Sequence, residues 1–204
     1  MSNIVLIGAT GNIGSRILDE ALARKHSVTA ITRDPRKLTA RPGMTVKAAS
    51  TTDPAVLSRV LSGHDIVLVS VKWNENDVDR VIDTIKQSGV KRALFVVGAG
   101  SLVRKDGRTH FDHMAAKGVQ PPTSKPAMLA LDAIRKIKDF DWTAISPAAA
   151  IPAGKRTGKF RLGLDKFLED SKGESRISRE DFAVAILDEV EKPKHIRKRF
   201  TAAY

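Results

Sequence analysis

An apolar strand that breaks into three evenly spaced glycines and resumes as an amphipathic helix leaves a chain few folds to choose from. The stretch "NIVLIGATGNIGSRILDEAL", Asn3 to Leu22, does this with Gly8, Gly11 and Gly14. The run before them suits a buried strand. After them Ile13, Ile17, Leu18, Ala21 and Leu22 share one helix face. Glycine weakens both elements, because it has no side chain to pack and the most backbone freedom to lose. Three in a row therefore signal a sharp reversal or something that must come close to the backbone. Strand, glycine turn and helix start together form the site where a dinucleotide's pyrophosphate meets backbone amides. In that reading Gly8 permits the reversal, Gly11 admits the pyrophosphate, and Gly14 lets the helix pack against the sheet. Thr10, Asn12 and Ile13 fill the turn and helix start between them. The spacing is Gly-x-x-Gly-x-x-Gly, not the usual Gly-x-Gly-x-x-Gly, and a ligand-free connection is the alternative.

The rest of the chain repeats the alternation. "HSVTAITR", "TVKAAS", "HDIVLVSV", "VKRALFVVGAG" and "DWTAISPA" read as strands. "DPAVLSRVLSG", "ENDVDRVIDTIKQSG", "AMLALDAIRKIKDF" and "ISREDFAVAILDEVE" read as helices, the last with Ser178 as N-cap and Asp181 three residues on. Strands that are apolar throughout, not alternately, are covered on both faces. The prediction is an α/β fold, a Rossmann-type doubly wound parallel sheet in a single domain over residues 1–204. Residues 101–126 and 147–178 are expected to form loops on the substrate side.

No apolar run approaches the roughly 18 residues of a membrane span, and "MSNIVLIGATG" has no basic leader or cleavage site. A cytoplasmic location and no membrane partner are therefore expected. Cysteine is absent, which excludes disulfides and thiolate chemistry. The net charge of +12 includes a dense terminal stretch, "KPKHIRKRF". Aromatic residues do not interleave with these charges, so the stretch reads as a solvated face and nucleic acid is not the expected partner.

Ligands on such sheets bind at the carboxyl ends of the strands. Arg33, at the end of the second strand with Arg36 and Lys37 a turn later, favours the 2′-phosphate of NADP over the 2′-hydroxyl of NAD, which is left open. Thr51, Ser70 and Val71 fall at the adenosine and phosphate end, and Ser101 and Pro147 at the nicotinamide end. Trp73 either borders the cofactor or stacks on an acceptor, whereas Trp142 reads as core. "THFDH" groups His110, Asp112 and His113, yet without further ligands no metal site is assigned. A histidine there is either a proton donor or an exposed loop residue.

With these pieces in order, the chain resembles the atypical short-chain dehydrogenase/reductase-like NAD(P)H-binding proteins of the NADH-flavin reductase group, relatives of biliverdin reductase B and the NmrA-like proteins. The resemblance is carried by "IGATGNIG", "AITRDPRKL", "VVGAGSL", "DWTAISPA", "GKRTGKFRLG", "ISREDFAVAILDEVE" and "KRFTAAY", over nearly the whole chain. It implies a bound nicotinamide dinucleotide and hydride transfer to a flavin or quinone-like small-molecule acceptor. The NmrA-like side of it implies the alternative, a non-catalytic NADP(H) sensor acting through a protein partner. A homodimer is left open. Conventional members use a Tyr-x-x-x-Lys pair, but the single tyrosine here, Tyr204, ends the chain. Flavin-reductase members often carry Tyr-Lys-Pro where "TSKP" stands, so Ser124 takes the tyrosine's place. Ser101 is the candidate partner of the acceptor's carbonyl, and Lys125 the candidate for orienting it or stabilising developing charge.

Overall fold

In the computed structural model, which describes residues 1–204, the apolar runs pair into one eight-stranded sheet. The strands are β1 (Asn3–Ile7), β2 (Ser27–Thr32), β3 (Met44–Ala48), β4 (Ile66–Val69), β5 (Arg92–Val96), β6 (Asp141–Ser146), β7 (Arg161–Gly163) and β8 (Lys198–Ala203). They lie in the order β3-β2-β1-β4-β5-β6-β8-β7. All pairings are parallel except that of β7 with β8. The helices are α1 (Gly14–Ala23), α2 (Pro54–Leu61), α3 (Val78–Ser88), α4 (His110–Ala115), α5 (Ser124–Ile134) and α6 (Arg179–Glu191).

Side chains alternate across a strand, and here both directions are apolar. Ile4 and Leu6 pack with Ile17 and Leu18 of α1 and Phe182 and Ile186 of α6. Val5 and Ile7 pack with Leu57 and Leu61 of α2, Ile85 of α3 and Leu131 of α5. The two cores hold 24 and 22 buried residues, so neither face of the sheet is left to water. This is the doubly wound α/β fold of a single domain. Because β1 pairs with both β2 and β4, chain progression reverses there, and a crevice opens beyond their carboxyl ends.

The structure corrects two expectations and adds an edge strand to the predicted parallel sheet. The terminal basic stretch is only partly solvated: Lys192, Lys194 and Lys198 are exposed, but Arg199 and Phe200 are 4% and 1% exposed. They belong to β8, which pairs with β6 on one side and β7 on the other. The basic residues before it hide a strand whose apolar part is only "FTAA". The sheet is therefore not wholly parallel, since β7 adds an antiparallel edge. Finally, the segment 101–126 is not a plain loop. It contains α4, and α5 begins at Ser124, ahead of Pro126, because proline is tolerated in a first turn whose amides lack helical partners anyway.

Candidate functional site

The crevice between β1 and β4 is set by backbone approach. Gly8 has φ +89°, and a Cβ on it would stand 2.1 Å from the Ser70 carbonyl oxygen. A Cβ on Gly14 would stand 2.0 Å from the Gly8 carbonyl oxygen. Gly11 donates its amide to the Gly8 oxygen at 3.0 Å and remains exposed. No side chain fits at either end of this turn, and the middle glycine faces the open space.

Helix α1 leaves that turn without a side-chain cap, and the amides of Asn12, Ile13 and Gly14 donate to nothing in the protein. Other helix starts are handled differently. Asp53 caps α2 and Asp77 caps α3, each at 3.1 Å. Thr109 caps α4 at 3.1 Å and Ser178 caps α6 at 3.0 Å. The remaining uncapped helix is α5. Both uncapped helices open on one cleft of about 610 Å³, whose walls include Gly11, Asn12 and Ile13 at one place and Thr123 and Ser124 at another. Unfilled amides at a helix start carry partial positive charge and suit an anion.

The cleft crosses the ends of β4, β5 and β6, where Ser70–Trp73, Val96–Gly100 and Pro147–Ile151 line it. Trp73 is 7% exposed and donates its indole N–H to the Val96 carbonyl at 2.8 Å, which fixes it as a wall. His110, Phe111 and Met114 of α4 line the far side. Trp142 lies in the core.

Of the residues singled out by sequence, Gly11, Asn12, Ile13, Ser70, Val71 and Pro147 line this cleft together. Gly8 and Gly14 shape the turn, and Thr10 is exposed on it. Thr51 lies behind the wall: it donates to Asn76 at 2.6 Å, and Asn76 donates to the Lys72 carbonyl at 2.8 Å, tying the loops after β3 and β4. Arg33 and Lys37 are exposed at the end of β2. Asp34 turns away to Arg36, which forks onto it at 2.9 and 3.2 Å. That fork holds the Asp34 carboxyl below the usual carboxylate range. Ser101 and Lys125 are not on the walls. Ser101 Oγ accepts from Arg199 at 3.1 Å, Lys125 is exposed, and its neighbour Ser124 lines the cleft in its stead.

Sequence reasoning missed the polar clusters built around Arg199 of β8, Asp181 of α6 and Glu20 of α1. Arg199 reaches Asp165 through Nε at 2.9 Å and Ser101 and Ser146 through Nη1 at 3.1 Å each. Asp181, fully buried, accepts from the amides of Thr157 and Gly158 at 2.7 Å each. It also accepts from the Thr157 hydroxyl at 2.6 Å and the Tyr204 hydroxyl at 2.8 Å. Tyr204 is thus a structural tyrosine, and it accepts the Ser178 amide that a capping box would have given to Asp181. Arg156 forks onto buried Glu20 at 2.7 and 2.8 Å, and Gly154 donates its amide to Glu180 at 2.8 Å. Carboxylates from α1 and α6 therefore pin the segment 154–158. Capping patterns flagged Ser178 and Asp181, but no local signal pairs them with residues more than twenty positions away.

A family model described as NAD(P)H-binding matches residues 8–193. The chain is 34% identical to the uncharacterized protein YwnB of Bacillus subtilis, over 97% of this chain and 96% of that protein. Among solved structures, a candidate epimerase from Bacteroides thetaiotaomicron is 39% identical, with 98% of this chain and 96% of that chain covered and a TM-score of 0.90. A candidate NADH-flavin reductase from Streptococcus pneumoniae is 28% identical, with 100% and 99% covered and a TM-score of 0.83. Their names differ while their backbones agree. No helix of the chain is long and apolar enough to cross a membrane.

Proposed function

The chain belongs to the NAD(P)H-binding family, and on that premise we propose that it is a reductase that passes a hydride from NADPH to a flavin or quinone-like acceptor. The observation that carries this reading is the uncapped start of α1, with three free amides and two glycines that no Cβ could replace, opening on a cleft of about 610 Å³. The free amides of Asn12, Ile13 and Gly14 would hold the diphosphate. Arg33 and Lys37, with Asp34 neutralised by Arg36, would hold the 2′-phosphate. Bound there, NADPH supplies the hydride. Trp73, Val71 and Met114 keep water from the reacting faces. No Tyr–Lys pair serves the cleft, because the Tyr204 hydroxyl is committed to Asp181 and the Ser178 amide. The rate then rests on holding donor and acceptor face to face, which can contribute about 7 kcal/mol or more to lowering the barrier.

Isothermal titration with NADPH and NADH, followed by an acceptor screen, tests this. Expected are binding of NADPH tighter than of NADH, and NADPH consumption with a flavin or a quinone. Binding without consumption by any acceptor would leave a cofactor-occupancy sensor as the better reading. No binding of either nucleotide overturns both.

A further inference from the structure

His110 is the one imidazole on the walls of the cleft, and its two nitrogens have opposite surroundings. The ring stacks on Phe167, with centroids 4.4 Å apart and planes at 21°. The Arg104 guanidinium lies 4.5 Å from the centroid of the same Phe167 and is held by Glu169 at 3.0 Å. His110 Nδ1 is sealed from solvent with no hydrogen-bond partner, while Nε2 is equally unpartnered and remains reachable. A buried N–H without an acceptor is costlier and rarer than a buried lone pair without a donor. The proton of the neutral ring therefore sits on Nε2, the reachable nitrogen.

The surroundings also keep the ring neutral. Burial pushes its pKa down, and the positive charges around it, Arg104, His113 and Lys117, push the same way. Protonation would bury a second, unpartnered N–H at Nδ1. His110 is thus a permanent hydrogen-bond donor near neutral pH and not a titrating acid. The walls around it are apolar, with Phe111, Met114, Ala127 and Trp73. The only charged side chain among all the lining residues is Lys72, which is paired with Glu75 at 3.1 Å. No other charged side chain stands on these walls to pair with a phosphate or carboxylate.

We infer that His110 Nε2–H donates a hydrogen bond to a carbonyl oxygen of the acceptor, and that the acceptor is an uncharged planar ring of the quinone class. This rests on the reductase reading above and deepens it. A C–H bond of the reduced nicotinamide breaks and its hydride, with the electron pair, forms an O–H bond at one quinone oxygen, which leaves the nicotinamide oxidised and the negative charge on the other carbonyl oxygen, the one His110 faces. The Nε2–H stabilises that charge, and a proton from solvent water completes the hydroxyl. The imidazole keeps its own proton, so the balance needs no further reductant or acid. A neutral donor aimed at developing charge acts by electrostatic preorganisation.

The test compares wild type, His110→Phe and His110→Gln, with NADPH and a neutral naphthoquinone. His110→Phe keeps the stack on Phe167 and removes both nitrogens, so its melting temperature should equal or exceed that of wild type. NADPH affinity should be unchanged, and kcat should fall about 100-fold, as for loss of one such donor. His110→Gln restores an N–H and should recover at least about a tenth of wild-type kcat. With NADP+ present, titration with oxidised naphthoquinone should move the Nε2–H proton resonance of wild type downfield, a readout that needs no turnover. Quinone reduction should exceed that of FMN, whose phosphate finds no unpaired charged side chain on these walls. Equal kcat in wild type and His110→Phe overturns the inference while leaving the reductase reading intact. So does loss of stability in His110→Phe in proportion to its loss of activity, or an unmoved Nε2–H resonance. A wild type that binds NADPH but reduces no acceptor overturns the reductase reading and this inference with it.

Discussion

The two ends of the cleft are built by opposite means. At the diphosphate end the chain removes side chains: Gly8 and Gly14 pack backbone on backbone, and α1 begins with its amides unspent. At the acceptor end it adds them. Buried Arg199 gathers Asp165, Ser101 and Ser146 into one hydrogen-bonded cluster, and buried Asp181 gathers Thr157, Gly158 and Tyr204 into another. The first construction is local in its turn, Gly8 to Gly14, and touches one distant backbone at Ser70. The second joins residues up to 98 positions apart. Recognition of a fixed chemical group suits a rigid backbone cradle, whereas a wall assembled from distant side chains can be re-cut without disturbing the cradle. The relatives fit that contrast, since proteins named as an epimerase and a flavin reductase share the backbone.

The largest effect should come from breaking the cradle. Gly14→Ala places a methyl 2.0 Å from the Gly8 oxygen, with backbone on both sides and no flexible atom to yield. Separating α1 from β1 should cost about 4 kcal/mol or more, the range kept for backbone and core clashes. NADPH binding should disappear with it. Thermal melting and NADPH titration of the variant check this. A Gly14→Ala protein with wild-type melting temperature and NADPH affinity would mean that α1 can shift away from the turn at no cost.

Next comes the acceptor-end framework. Asp181→Asn keeps shape but cannot accept from four donors at once, so at this buried position at least one amide or hydroxyl loses its partner. A loss of about 3 kcal/mol is expected for breaking a buried charged network. The pH dependence follows the same group. Burial raises the Asp181 carboxyl, but the Thr157 hydroxyl, the Gly158 amide, Tyr204 and the Thr157 amide lower it further, so its folded value lies below the ordinary one. Glu20, lowered chiefly by Arg156, behaves alike. A depressed folded pKa gives stability that is complete above the unfolded value of about 3.9 for Asp and 4.3 for Glu. That stability is lost as pH falls through the folded value. Urea unfolding followed from pH 6 to pH 2 should show the wild type losing stability below pH about 4, with a shallower slope in Asp181→Asn. Parallel slopes would remove Asp181 from the acid response.

The same contrast explains what could be read from the residues in order. Strands β1, β2, β4 and β5 were legible because their apolar runs are buried on both faces, and helices α2 and α3 because Asp53 and Asp77 cap them. The glycine turn was legible because its constraint is backbone geometry, which spacing records. Strand β8 was not, since Arg199 looks like its exposed neighbours until Asp165 and two serines are brought to it by the fold. Ser101 and Lys125 follow the same logic. They stand at plausible positions along the chain, but side-chain direction depends on where α5 begins and on what Arg199 binds. His110 was visible as a residue type, while its sealed Nδ1 depends on Phe167, 57 residues on.

The smallest effect should appear at the outermost part of the cradle, where recognition is by exposed side chains. Arg33 and Lys37 are both exposed, and Asp34 between them is already committed to Arg36. An exposed charge pair contributes up to about 1 kcal/mol, so Arg33→Ala should weaken NADPH about fivefold, with Lys37→Ala weaker in effect. NADH, which lacks the 2′-phosphate, should bind both variants as it binds the wild type. Raising the salt from 50 to 500 mM should erase most of the difference between nucleotides in the wild type, because exposed pairs are screened within a Debye length of about 4 Å at the higher value. The same salt change should leave NADH binding nearly untouched, since the amides of Asn12, Ile13 and Gly14 act at hydrogen-bond contact, inside the Debye length at either salt. If salt instead weakens both nucleotides equally, the diphosphate is held by surface charge and the distinction between a backbone cradle and a side-chain wall loses its first half.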